Sequence, residues 1–196
     1  NMRKILLAVL ILFISRTVFP QWSINNTANN PVVTAPNNQL NARTVSDGDG
    51  GVIIVWEDYR TSTSNRDIYA QRYDRFGIKQ WGDSNGIPLG IKSVNERYPD
   101  LCPDGKGGAI FMWDDNPTST VTNIKAQRIT KNGVKLWSDT GITVASEGFR
   151  QSQPRVIYDN FGGCFYVYLT SEHSSTDYDI KANRLDSNGQ KLWGNG

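Results

Sequence analysis

NIKAQRITKNGVKLWSDTGI, residues 123–142, is one of three copies of a single pattern. Residues 67–87 read DIYAQRYDRFGIKQWGDSNGI, and residues 179–196 read DIKANRLDSNGQKLWGNG. Ile68, Ile124 and Ile180 correspond, as do Arg72, Arg128 and Arg184, then Gly77, Gly133 and Gly189, then Trp81, Trp137 and Trp193. Ala70, Ala126 and Ala182 stand 56 residues apart both times. Upstream of each copy lies a second shared block: SDGDGGVIIVWEDYR (46–60), PDGKGGAIFMWDDNP (103–117) and YDNFGGCFYVYLTSE (158–172). Self-similarity at such a period marks solenoids and propellers.

Each unit divides into four short runs. The first is Asn41–Ser46, Pro99–Pro103 or Pro154–Tyr158. A Gly-rich turn follows, whose glycines supply the positive φ of a tight hairpin. The second run, Val52–Trp56, Ala109–Trp113 or Cys164–Tyr168, is the most apolar. The third, such as Asp67–Tyr73, alternates with a period of two. A glycine turn then leads to a fourth run that carries the tryptophan. No stretch has a helical period. The fold class read from this is all-β: a β-propeller-like repeat of four-stranded antiparallel blades, in about three ~56-residue units. A sandwich would not require the same turn and tryptophan in every unit.

Outside the repeats, Arg3 and Lys4 precede an apolar run, Ile5–Ile14. A membrane span needs about 20 apolar residues, so residues 1–20 read as a signal peptide. That reading predicts a secreted or cell-surface protein. Removing residues 1–20 takes Arg3, Lys4 and Arg16 from the 21 basic residues and leaves all 19 acidic ones. The near-neutral remainder gives no case for nucleic acid or for a membrane partner beyond the signal. Residues 21–40 read as an orphan fourth strand and linker, because Gln21-Trp22-Ser23 matches Leu136-Trp137-Ser138. Blade 1 is then 41–93, blade 2 is 94–147 and blade 3 is 148–196, its end incomplete. Propellers typically have about 4–8 blades, so the expectation is a fragment of a larger propeller, or an oligomer that closes between chains.

The units resemble the tandem-repeat, propeller-like secreted proteins of Bacteroidetes-type bacteria. Asp104-Gly105-Lys106-Gly107-Gly108, Trp56-Glu57-Asp58, Asp67-Ile68-Tyr69-Ala70-Gln71-Arg72 and Gly133-Val134-Lys135-Leu136-Trp137 carry the resemblance. Many such proteins are cargo of the type IX secretion machinery. The resemblance implies fold and location, and no single activity.

Candidate chemistry is sparse. Trp81, Trp137 and Trp193 could form a sugar platform, but identical placement in each unit favours packing between blades. Arg72, Arg128 and Arg184 read as structural partners of an acid on a neighbouring strand, such as Glu57 or Asp114. Asp47-Gly48-Asp49-Gly50-Gly51 reads as a turn and not as a calcium loop, which would want 6–8 oxygens. His173 is the one histidine, in a polar loop. Glu57-Asp58 and Asp114-Asp115 are adjacent, so their side chains leave a strand on opposite faces. Cys102 and Cys164 read as buried free thiols. No catalytic, cofactor-binding or metal-binding residue is assigned, and no cofactor. The reading is a non-enzymatic binding or scaffold module. Its unknown protein or glycan ligand would meet the variable loops Thr61–Arg66, Asn116–Thr122 and Thr170–Tyr178. The alternatives are part of a glycan-active, sialidase- or lyase-like propeller enzyme, and a structural spacer.

Overall fold

The computed structural model describes Trp22, Thr27 and residues 29–82, 85–90, 95–116, 120–174 and 176–194. The signal-peptide reading of 1–20, and Gln21 and Ser23 of the orphan strand, lie outside the described residues. Every described element is a strand. Blade 1 is β1 (Gln39–Ser46), β2 (Val52–Asp58), β3 (Asp67–Tyr73) and β4 (Ile87–Gly90). Blade 2 is β5 (Asn95–Pro103), β6 (Ala109–Asn116), β7 (Asn123–Ile129) and β8 (Ile142–Ala145). Blade 3 is β9 (Gln151–Tyr158), β10 (Cys164–Ser174) and β11 (Asp177–Leu185). Within each blade, strands consecutive in sequence pair antiparallel. The chain is a β-propeller-like repeat, as the pattern of turns predicts.

Three details depart from the sequence reading. The first strand of each blade starts earlier than expected and is broken by a bulge. Asn41, Tyr98 and Gln153 occupy that bulge with φ of 54°, 51° and 53°. The extra residue bends the strand and raises its twist. The tryptophans are not in the fourth strands. Lys79, Lys135 and Lys191 each make one bridge back to the third strand, and Trp81 and Trp137 then sit in the connection that leads to β4 and β8. Finally, much of the third variable loop is strand, because β10 runs on to Ser174 and β11 begins at Asp177.

The core lies between blades. One cluster joins Ile53, Val55, Ile68 and Trp81 of blade 1 to Leu101, Phe111 and Trp113 of blade 2. A second joins Ile110, Met112, Ile124 and Trp137 of blade 2 to Cys164, Tyr166 and Tyr168 of blade 3. Each junction is locked the same way. A Cβ on Gly133 would meet the Trp81 ring at 3.0 Å, and one on Gly189 would meet the Trp137 ring at 3.1 Å. Each tryptophan buries roughly 150–250 Å², which at about 25 cal/mol/Å² is on the order of 4 kcal/mol.

Trp22 repeats this lock on blade 1. It stacks on Tyr73 with ring centroids 5.1 Å apart, and a Cβ on Gly77 would lie 2.5 Å from its ring. Val32 and Val33 pack beside it on Ile54, Trp56, Tyr69 and Tyr73. The segment before β1 therefore covers blade 1 much as Trp81, Ile87 and Leu89 cover blade 2. The far face of blade 3 has no such cover among the described residues. Ile180 is 73% exposed, whereas its counterparts Ile68 and Ile124 are fully buried.

Candidate functional site

Many of the charged residues in the repeat serve the fold. Asp47 starts the Gly-rich turn of blade 1. Its Oδ1 accepts the N–H groups of Asp49 and Gly51 at 2.8 and 2.7 Å, and its Oδ2 accepts Arg72 Nε and Nη2 at 3.0 and 2.7 Å. Asp104 with Arg128 and Asp159 with Arg184 repeat the arrangement. Burial pushes the Asp47 and Asp159 carboxyls up, but the turn N–H groups and the arginines outweigh it and hold both below the usual value. The repeated arginines are structural, as expected, but their partner is the turn aspartate of their own blade. Glu57 and Asp114, the partners expected from sequence, do something else. The turn reading of Asp47-Gly48-Asp49 has the same cause, since both Asp47 oxygens are occupied by the turn and by Arg72.

The adjacent acid pairs separate in space. Glu57 reaches blade 2, where Oε1 accepts the N–H of the bulge residue Tyr98 at 2.8 Å, while Oε2 accepts Arg66 Nη1 of its own blade at 2.6 Å. Asp58 stays in its own blade and accepts Trp56 Nε1 at 2.7 Å and Arg60 Nη2 at 2.6 Å. Asp114 reaches blade 3, where Oδ1 accepts the N–H of the bulge residue Gln153 at 2.9 Å. Its Oδ2 is buried with no hydrogen-bond partner. Burial drives the Asp114 carboxyl up to about 8, against the pull of Arg97 and Arg150. Glu96 on β5 is likewise raised by burial to about 8.

Above Asp114, blades 2 and 3 part to leave a cleft of about 240 Å³. Arg97 and Tyr98 of β5 line one side, and Ser152 and Gln153 of β9 with the preceding Arg150 line the other. Leu169 of β10 and Tyr178 of β11 complete it. With the Asn116 amide turned to present its oxygen, Arg97 donates to it through Nε at 3.0 Å and Nη2 at 2.5 Å. Beside Ser152, Gln151 is fully buried, and neither end of its amide has a hydrogen-bond partner. Such orphans collect where a ligand or ordered water completes the bonding.

Arg97, Tyr98, Arg150, Ser152 and Gln153 lie outside the loops that the sequence pointed to. Leu40, Arg97 and Ser152 are equivalent positions with unlike side chains, so the repeat gives no signal there. Of the expected recognition loops, the third contributes Tyr178, and the second contributes Asn116 behind Arg97. The first closes on itself through Ser62 with Ser64 and Thr61 with Asp67. Trp81 and Trp137 are buried between blades, which is their packing role. His173 is exposed, 3.3 Å from Asp179. Cys102 and Cys164 are unbonded to each other and buried.

No family model and no curated protein sequence matches the chain. Solved structures do. An α-L-arabinofuranosidase from Lactobacillus brevis matches with a TM-score of 0.54 and 10% identity over 85% of this chain and 59% of that one. A family 43 glycoside hydrolase from Bacillus licheniformis matches with a TM-score of 0.55 and 12% identity over 85% and 46%. An endo-1,5-α-L-arabinanase from Thermotoga petrophila RKU-1 matches with a TM-score of 0.52 and 17% identity over 84% and 43%. The chain thus spans about half the length of the structures it matches. At these identities the likeness establishes the fold. It falls on glycoside hydrolases rather than on the Bacteroidetes-type secreted repeats expected from sequence. The expectation of a non-enzymatic protein is corrected by the same finding, because the chains that share these blades are enzymes.

Proposed function

We propose that this chain is part of a glycan-active β-propeller, with the cleft between blades 2 and 3 as a saccharide subsite. The observation that carries this is the match of the blades to three glycoside hydrolases. The cleft adds its own support. Tyr98 and Tyr178 are 38% and 41% exposed, large amphipathic rings of the kind that pack on sugar faces. Polar side chains between them offer hydrogen bonds to hydroxyls. Glu57 and Asp114 anchor the bulges and are fully buried, so in this reading they position the subsite. An extracellular place of action belongs to the same proposal, supported by Arg3, Lys4 and the apolar run Ile5–Ile14.

The test is to titrate the chain with a panel of neutral and acidic plant and microbial oligosaccharides by calorimetry, and to assay each for released reducing ends. Saccharide binding that weakens about tenfold or more in Tyr98→Ala and Tyr178→Ala is expected. Absence of binding to every member of the panel, with the wild-type chain folded, would overturn the proposal.

A further inference from the structure

We infer that the blade 2–blade 3 cleft binds the carboxylate of an acidic saccharide, with Arg97 and Arg150 as the pair that holds it. This rests on the glycan reading and narrows it to one substrate class.

Arg60, Arg66, Arg72, Arg128 and Arg184 each lie within 4.0 Å of a carboxylate. Arg97 and Arg150 line the cleft, and among the described residues neither is in such a pair; Arg43, Arg75 and Arg155 are also outside such pairs but do not line it. Arg97 is nevertheless fixed in place. Asn116 occupies one edge of its guanidinium, which leaves donors on the other edge. A planar guanidinium held along one edge is preorganised for two parallel bonds to a carboxylate.

Asp114, the carboxyl on which both arginines act, does not take that role. Asp114 is fully buried beneath the cleft, and Gln153 occupies one of its oxygens. Burial keeps its carboxyl protonated up to about pH 8. At neutral pH, two guanidinium charges therefore face the cleft without a carboxylate between them. In a partly enclosed site, that imbalance favours an incoming anion.

Shape selects a sugar acid over a free inorganic ion. At about 240 Å³ the cleft lies just below the roughly 300–1,000 Å³ of drug-sized sites, which suits one sugar unit. Tyr178 and Tyr98, whose ring has the Arg97 guanidinium over it at 5.4 Å, line the cleft and offer that unit apolar surface. A bare ion would use the arginines and gain nothing from the tyrosine surface.

The experiment titrates the full chain at pH 6.5 in about 0.15 M salt, where exposed charges are screened beyond about 8 Å. Three probes are compared: a galacturonate oligosaccharide, the same oligosaccharide with its carboxyls reduced to alcohols, and a sulfated galactan oligosaccharide of equal length. The expected result is at least tenfold tighter binding of the galacturonate than of its reduced form. Arg150→Gln should erase most of that preference, weakening galacturonate at least tenfold more than it weakens the reduced form. Arg97→Gln should do the same if its circular dichroism matches the wild type. Equal binding of galacturonate and reduced oligosaccharide would overturn the acidic assignment and leave the glycan reading standing. Tighter binding of the sulfated probe would overturn the carboxylate assignment in favour of a sulfate ester. Binding of none of the three would overturn this inference, and the wider panel would then decide whether the glycan reading survives.

Discussion

The carboxylate of Asp114 on β6 accepts the backbone N–H of Gln153 on β9 at 2.9 Å, across the junction of two blades. Glu57 and Tyr98 repeat the contact at 2.8 Å one blade earlier. In each case the acid at the end of a second strand supplies the acceptor that a bulged first strand lacks. The bulge takes its N–H out of the ladder, and a buried N–H without a partner is costly.

Removing the acceptor should therefore weaken the junction. Asp114→Ala is expected to destabilise the chain by about 1–3 kcal/mol, and Asp114→Asn, which keeps an oxygen in place, by less. Urea unfolding of the two variants checks this. Equal losses would mean that the carboxyl oxygen does not cap the bulge.

Stability should fall on both sides of a mildly acidic optimum. Asp47, Asp58 and Asp159 are held below their ordinary value by the groups that hydrogen-bond to them, against burial. Their contribution is present above about pH 4 and is lost as pH falls further. Glu96 and Asp114 are raised by burial to about 8. Their protonated forms favour the fold, so that contribution is complete below about pH 4 and declines as pH rises to about 8. Melting temperature measured from pH 3 to 9 should rise and then decline. In Glu96→Gln with Asp114→Asn, the decline from pH 5 to 8 should flatten by several degrees. An unchanged slope would count against these two groups as its source.

The turn aspartate and its arginine form a buried unit. Arg72 and Asp47 side chains are 4% and 0% exposed. Asp47→Ala leaves a buried guanidinium and two turn N–H groups without acceptors, and should cost roughly 3–5 kcal/mol. Adding Arg72→Met should recover part of that loss, since the stranded charge goes too. A double-mutant cycle by chemical unfolding measures the recovery, and strict additivity would show that the pair is not coupled.

Gly133 carries two constraints at once. Its φ is +82° and its missing Cβ leaves room for Trp81. Gly133→Ala should cost about 1–2 kcal/mol from the left-handed backbone alone, with an added shift of the Trp81 ring. Trp81 Nε1 also donates to the Lys131 carbonyl at 3.0 Å, so the shift should appear in tryptophan fluorescence. By contrast, Gly148→Ala, which has open space around its Cβ, should leave the emission unchanged.

The cysteines face one another from β5 and β10. Contact with Cys164, and burial, push the Cys102 thiol far above the ordinary range. Thiolates are the reactive form. The reduced native chain should therefore label slowly with a disulfide reagent, and both thiols should react at once on unfolding. Rapid labelling of the native chain would contradict their burial.

Much of the architecture was legible in the chain itself. The Gly-rich turns, the alternating Asp67–Tyr73 run and the matching tryptophans give the antiparallel blades and the packing of Trp81 and Trp137 between them. These are local signals: a positive φ needs glycine, a half-buried strand needs alternation, and a repeat states both again in every unit. The same averaging hid the cleft. Arg97 and Arg150 lie where the units differ and outside the variable loops, so nothing in the pattern marks them; Tyr178 alone falls in a loop that the variability pointed to.

What the sequence determined by itself was which residues make strands, which make turns, and that each unit must bury its face against a neighbour, because those follow from steric and hydrophobic periodicity along one stretch of chain. What only the tertiary structure decided was which charges meet. Arg72 pairs with Asp47 and not Glu57, and Asp114 lies under Arg97 and Arg150. Those encounters depend on a bulge and a blade-to-blade rotation that bring together residues tens of positions apart, and no local period encodes them.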